Sequence, residues 1–337
     1  MRMLTNTGMG LLALLSWATA TAQDAPTKNT VRDPQTAVVD TADADRFAAL
    51  FKRTHGRPTA AQLQSDYLDK GTPGIAVFTP YRIIDATHLA QVVAERQPIY
   101  QHAIDVCLPA AKTATPELRT IYSAYQRMMP GVVLPQVYAV FGAGNAGGSA
   151  EPGAQVIGLE AACNGVVDAA DLRRRLRGLF AHETVHTLQP PMPDDQDNDL
   201  LAQALREGVA NLIGGLVTGD PDSHDAWGLP QEQALWKQFT QDRATILAHP
   251  PVDGKPDAEW QAAMHRWMWN QGAAPEGWPA EAGYWIGMRI AAAYYQRAAD
   301  KDEALQVLIA LKDPQMILQE SGYAQRFAST KTPTSSK

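Results

Sequence analysis

The sequence predicts a mainly α (α+β) fold in which a small β-sheet precedes one long helix. Three observations carry that expectation. Helix caps and apolar residues at helical spacing recur along most of the chain from Asp43 onward. Residues 136–141 (Gln-Val-Tyr-Ala-Val-Phe) and 155–160 instead have strand composition. A stripe of leucines from Leu172 runs, at 100° per residue, into the stretch His-Glu-Thr-Val-His at 182–186.

Taken in order, residues 1–22 read as an export signal. Arg2 gives the positive start, Leu11 to Trp17 the apolar run, and Ala20-Thr21-Ala22 a cleavage site before Gln23. That run is too short to anchor the chain in a bilayer. Residues 23–44 are polar and without periodicity, so a flexible leader is expected. Thr59 caps a helix reaching about Lys70, where Gly71-Thr72-Pro73-Gly74 ends it. Residues 75–79 are a short apolar run of open type, and 85–95 and 98–108 read as two more helices. Thr115-Pro116-Glu117 starts a helix that ends near Met129, before Pro130-Gly131. Residues 142–153 are glycine-rich without a phosphate-loop pattern and read as a turn. Everything beyond Asp168 reads as helices and loops.

The chemistry concentrates at 182–186. Four residues apart on a helix, His182 and His186 project from one face. Two neutral imidazoles and a carboxylate suit one Zn²⁺ and leave a fourth position for water. Glu183, between them, would face that water as general base. Leu172, Leu176 and Leu179 mark the buried face, and continuing it reaches Glu183 and His186. Arg173, Arg174 and Arg177 fall on the solvated side, while Arg175 lands near the apolar edge without an assigned role. Burying two histidines and a glutamate without partners is costly, and a metal removes that cost. The third ligand is expected to be Glu207, in an apolar stretch at 200–217 that reads as a returning helix. The alternative makes Glu207 an exposed carboxylate and Asp199, or another acid of the 189–199 loop, the ligand. Asn211, one turn beyond Glu207, is placed to bond the free nitrogen of a ligand histidine.

Composition narrows the setting. A formal charge of −7 leaves no basic footprint, so nucleic acid is not an expected partner. Export places the mature protein in the periplasm or outside the cell, and no cysteine follows the signal to carry a lipid anchor, so no membrane anchor is expected. Two cysteines, Cys107 and Cys163, are either buried thiols or one disulfide. Joined, they close a loop worth about 4 kcal/mol of chain entropy. Seven tryptophans crowd the C-terminal third, where they fill a helical core or line a cleft.

With these residues in place, the chain resembles the predicted zinc-dependent proteases of the DUF2268 type, a gluzincin-like family. The matching pieces are the strand–glycine loop–strand segment from Val137 to Glu160, the motif at 182–186, Arg-Glu-Gly-Val-Ala at 206–210, and Gly-Tyr-Trp-Ile-Gly at 283–287. The resemblance spans about two hundred residues, from near Thr115 to Leu318. It implies a zincin-like helical domain at 115–320, behind an N-terminal helical region at 45–114 and ahead of a flexible tail at 321–337. It implies His182, His186 and Glu207 as zinc ligands and Glu183 as base. It also draws attention to Tyr284, flanked by Gly283 and Gly287, as an oxyanion donor or a core tyrosine. Many gluzincins carry Asp where this chain has Asn211.

The expected function is an exported zinc metallopeptidase acting on a peptide or protein substrate, Glu183 and Tyr284 being its catalytic residues. An exposed edge strand beside the motif helix would hold an extended peptide across the metal. Two other classes stand beside it. One is a non-catalytic extracytoplasmic zinc-binding or scaffold protein, which binds zinc without hydrolysis. The other is a metal-free helical interaction module. Oligomeric state is not encoded in any of these signals.

Overall fold

The computed structural model describes residues 30–220 and 225–328; the expected export signal lies outside them. The protein is mainly helical with one small mixed sheet, as the sequence patterns require. Strand β3 (Leu134–Val140) is the centre of the sheet and is buried along almost its whole length. It pairs in parallel with β5 (Ala154–Gly158), Gln136 opposite Ala154 and Val140 opposite Gly158. Between them in sequence, β4 (Gly148–Glu151) folds back antiparallel on β5. The glycine-rich stretch expected as a turn therefore contains an edge strand.

The start of the chain corrects a second expectation. Residues 30–44 are not a free leader: β1 (Thr30–Val31) pairs antiparallel with the first residues of β3, and β2 (Val39–Asp40) pairs parallel with its middle. Helix α1 (Ala42–Arg53) follows directly and buries Ala44, Phe47, Leu50 and Phe51. Pairings two residues long draw on backbone hydrogen bonds, which leave no periodicity in side-chain pattern. Helix α2 (Thr115–Met128) starts where Thr115-Pro116-Glu117 predicts, but Thr115 is not its cap. The Thr115 hydroxyl instead accepts the backbone N–H of Val39 at 3.2 Å and so holds β2.

One apolar core runs from Val31 to Tyr323. The boundary expected at 114/115 separates no cores, and residues 321–328 are no tail. Ser321 and Tyr323 are buried, and the Tyr323 hydroxyl donates to Glu232 at 3.1 Å. Glu232 also takes Arg289 at 2.9 Å and Arg326 at 3.1 Å, which anchors the last turn. Six of the seven C-terminal tryptophans belong to this core or pack against it, and Trp269 is exposed. Trp267 is fully buried, donates to Asp242 at 2.8 Å, and stands edge-on to Phe239 and Trp278.

Cys107 and Cys163 form a disulfide, with Cα atoms 6.0 Å apart. It ties the N-terminal helices to the turn just before the motif helix. Such a bond belongs to an oxidising compartment. Replacing both cysteines with serine should cost about 3 kcal/mol, within the usual range for a native disulfide, measured by urea denaturation. Unchanged stability would mean that the loop is held closed by packing alone.

Candidate metal centre

Two long helices carry the centre. Helix α3 (Ala169–Leu188) begins at Asp168, whose carboxylate accepts the Asp171 N–H at 2.8 Å. Leu172, Leu176, Phe180 and Val185 bury its inner face. Helix α4 (Leu200–Thr218) is capped by Asp199 and stops at Gly219, which takes the left-handed conformation with φ 75°. Three polar contacts fix α3 in place. Gln155 of β5 donates to the Leu179 carbonyl at 2.9 Å, Tyr125 of α2 donates to that of Ala181, and Arg177 donates to the last carbonyl of α4 at 3.1 Å. Arg175, without a role from sequence, donates to the carbonyls of Ala162 and Asn164 and so secures the turn at the disulfide.

The structure brings His182, His186 and Glu207 together, with one donor atom of each inside a 4.8 Å cluster. The Nε2 atoms of the two histidines are 3.0 Å apart, and Glu207 Oε2 lies 3.2 Å from the first and 3.1 Å from the second. The other ring nitrogens point outward to amide oxygens. His182 Nδ1 meets Asn211 Oδ1 at 2.9 Å, and His186 Nδ1 meets Gln189 Oε1 at 2.7 Å. Gln189 donates its own Nε2 to the Arg206 carbonyl at 2.9 Å, which fixes which end of the amide faces the ring. Each Nδ1 therefore carries the proton, and both Nε2 lone pairs converge on one point. Two lone pairs and a carboxylate oxygen this close repel one another unless a cation or a proton lies between them.

The donor set fits zinc. Tetrahedral bonds of about 2.0–2.1 Å place ligand atoms roughly 3.3 Å apart, close to the separations found. Three protein donors leave one coordination position open. Asp199 is excluded as a ligand because it pairs with Arg243 through both oxygens, each at 2.8 Å. For the protein without metal, burial would lower the His186 pKa, but the adjacent Glu207 charge and its hydrogen bond raise it to about 9. Glu207 moves the other way: burial opposes its charge, and the two histidines outweigh that and hold the carboxyl well below its usual range.

Glu183 is buried on the same helix but stands outside the donor cluster. It lies against β4, where a Cβ at Gly148 would come within 2.1 Å of Glu183 Oε1. Glycine at 148 makes that approach possible. The loop leading to β4 is held from below by Glu160, which accepts the N–H groups of Gly142 and Gly144, each at 3.0 Å. Tyr67 and Tyr100 donate to the carbonyls of Phe141 and Gly142, both at 2.7 Å.

Tyr284 lies on helix α5 (Ala282–Arg297), which crosses α4. Its ring is parallel to that of His182, with centroids 6.4 Å apart. Burial raises its pKa well above the usual value, and Glu207, Glu281 and Glu183 reinforce the shift, so the phenol keeps its proton. Gln189 and Gly148 were not found from sequence. Gln189 had one usable signal, a polar side chain three residues after His186 at the helix end. Gly148 had none within a run of glycines.

Comparison with known proteins corrects the functional expectation. A family model described as gliding motility protein GldB matches residues 269–325, well under half of the chain. No curated protein and no solved structure matches. The matched stretch covers α5 and the two short helices after it, and holds Tyr284 but neither ligand helix. The expected membership among DUF2268-type zinc proteases is therefore overturned, and with it the metallopeptidase function, since the matched family is not one of catalytic zinc proteases. The physical reason is that His-x-x-x-His on a helix encodes the approach of two imidazoles to a cation. It does not encode what the cation is used for. The roles of Glu183 as base and Tyr284 as oxyanion donor rest on that expectation alone, and the geometry by itself assigns neither.

Proposed function

We propose that this protein is an extracytoplasmic zinc-binding protein of a cell-envelope assembly, in which one Zn²⁺ held by His182, His186 and Glu207 ties α3 to α4. The observation that carries this reading is the outward pairing of both Nδ1 atoms, with Asn211 and Gln189, while both Nε2 atoms converge on Glu207. Bound there, zinc supplies a cross-link between two buried helices and one coordination position open to a further ligand. The disulfide supports an oxidising compartment, and the partial match to a gliding motility protein supports a place at the cell envelope. Among the described residues no helix is long and apolar enough to cross a membrane.

Purified protein stripped with chelator and titrated with zinc should bind one ion per chain. At free zinc one hundred times the dissociation constant, stability should rise by about 2.7 kcal/mol. Glu207→Ala should show neither effect. Zinc that fails to bind the wild-type protein, or that binds Glu207→Ala equally well, would remove this reading.

A further inference from the structure

The seven C-terminal tryptophans divide in two. Trp227, Trp236, Trp267 and Trp278 meet other aromatic rings, and Arg289 lies over Trp285. Trp260 and Trp269 meet neither a ring nor a cation among the described residues. Both line a cavity of about 480 Å³, with Met264 and Met268 beside them. That size is ordinary for a small-molecule site. Each of the two indoles is also placed at a cost. Trp260 Nε1 is shut off from solvent without a hydrogen-bond partner among the described residues, so its indole meets the cavity with carbon. Trp269 is half-exposed on a left-handed backbone with φ 51°, which a bulky side chain disfavours. Its neighbours impose that conformation. Met268 and Asn270 are both buried, and Asn270 donates to the His265 carbonyl at 2.9 Å while accepting the Glu281 N–H at 2.6 Å. Strain of this kind collects where ligands bind.

We infer that this cavity binds a small, uncharged aromatic molecule, held against Trp260 and Trp269. Its lining has no acidic side chain to balance a cation, and no basic one but His265 to take an anion. Indole rings stack on other rings, and methionine sulfur favours ring edges. An aliphatic occupant would gain burial but neither of these contacts. The cavity is built from residues 258–269, apart from the ligand helices α3 and α4, so this inference does not depend on the zinc reading.

Equilibrium dialysis of the full-length protein against coumarin, its saturated counterpart octahydrocoumarin, and decanoate tests it. Coumarin should bind saturably with a dissociation constant below about 1 mM. Octahydrocoumarin and decanoate should bind at least about fivefold more weakly. Trp269→Gly should weaken coumarin binding by at least that factor, yet its urea midpoint should be no lower than that of wild type, because glycine relieves the backbone. Trp260→Leu should weaken binding similarly. Trp260→Phe, which keeps a ring and removes the unpaired N–H, should retain it. Tryptophans of purely structural role would do the reverse, costing stability and leaving binding alone. The inference is overturned by wild type that does not bind coumarin, or that binds octahydrocoumarin or decanoate as tightly. Coumarin affinity unchanged in both Trp269→Gly and Trp260→Leu, or lost only in variants that also lose stability, overturns it equally.

Discussion

Replacing Gly287 with alanine should cost more than about 4 kcal/mol, a large fraction of the stability of a typical folded protein. A Cβ at this position would lie 1.7 Å from the Ala204 carbonyl oxygen and 2.3 Å from its carbon. From the other side, a Cβ at Gly208 would lie 2.1 Å from Gly287 C and from Met288 N. Both obstacles are backbone, so no rotamer change makes room. The only relief is to move α4 and α5 apart, and on both helices the neighbouring residues Leu205, Val209, Ile286 and Ile290 are fully buried. That opens voids in a close-packed core, where overpacking and cavity costs add. Gly178→Ala is the control. It lies in the exposed middle of α3 with nothing within 4 Å of the added carbon, so alanine there should stabilise by about 0.5–1 kcal/mol. Urea denaturation of the two variants measures both. If Gly287→Ala folds with wild-type stability, the crossing of α4 and α5 is not as close as the structure has it.

What the sequence made legible follows from how local the governing physics is. The fold class came from helix caps and apolar spacing, which act within a few residues. Asp85 caps its helix by accepting the His88 N–H at 2.8 Å, and Thr59 with Gln62 forms a reciprocal cap, both at positions where the sequence starts a helix. The shared face of His182 and His186 is equally local, since helix geometry alone converts a spacing of four into neighbouring side chains. Glu207 needed one further step, a returning helix across a proline-rich loop. Four features were not legible. The two-residue strands β1 and β2 and the edge strand β4 depend on partners about a hundred residues away or on backbone hydrogen bonds that any side chain allows. The wide turn at residues 79–83 follows Phe78, which packs on Gly142 and Gly158, glycines far along the chain.

The functional error has a different origin. The residues at 137–160, 182–186, 206–210 and 283–287 were read as one ordered signature, although each has its own structural reason. Gly208 and Gly287 are glycines because two backbones touch there. Gly283 is one because a Cβ would meet Met268 Sδ at 2.6 Å. A pattern produced by helix packing and cation geometry constrains the centre without constraining a substrate.

Zinc affinity and metal-free stability should answer to pH in opposite directions. In the metal-free protein His186 holds its proton to about pH 9, against about 6.5 for an unfolded histidine. The raised value means that this group's stabilising contribution is complete below pH 6.5 and is lost as pH climbs through 9. Glu207, depressed, contributes above its unfolded value near 4.5 and loses that contribution as pH falls below it. These two groups therefore favour the metal-free fold most between about pH 4.5 and 6.5. Zinc reverses the preference at the upper end, because it must take the place of the His186 proton at Nε2. Its apparent affinity should rise about tenfold per pH unit and level off near 9, several hundredfold between pH 6 and pH 9. At pH 7 close to one proton should leave per zinc bound, which calorimetry in buffers of different ionisation heat measures directly. An affinity flat across that range, with no proton released, would mean that His186 is already neutral before the metal arrives and that its pairing with Glu207 does not have the charge inferred from the geometry.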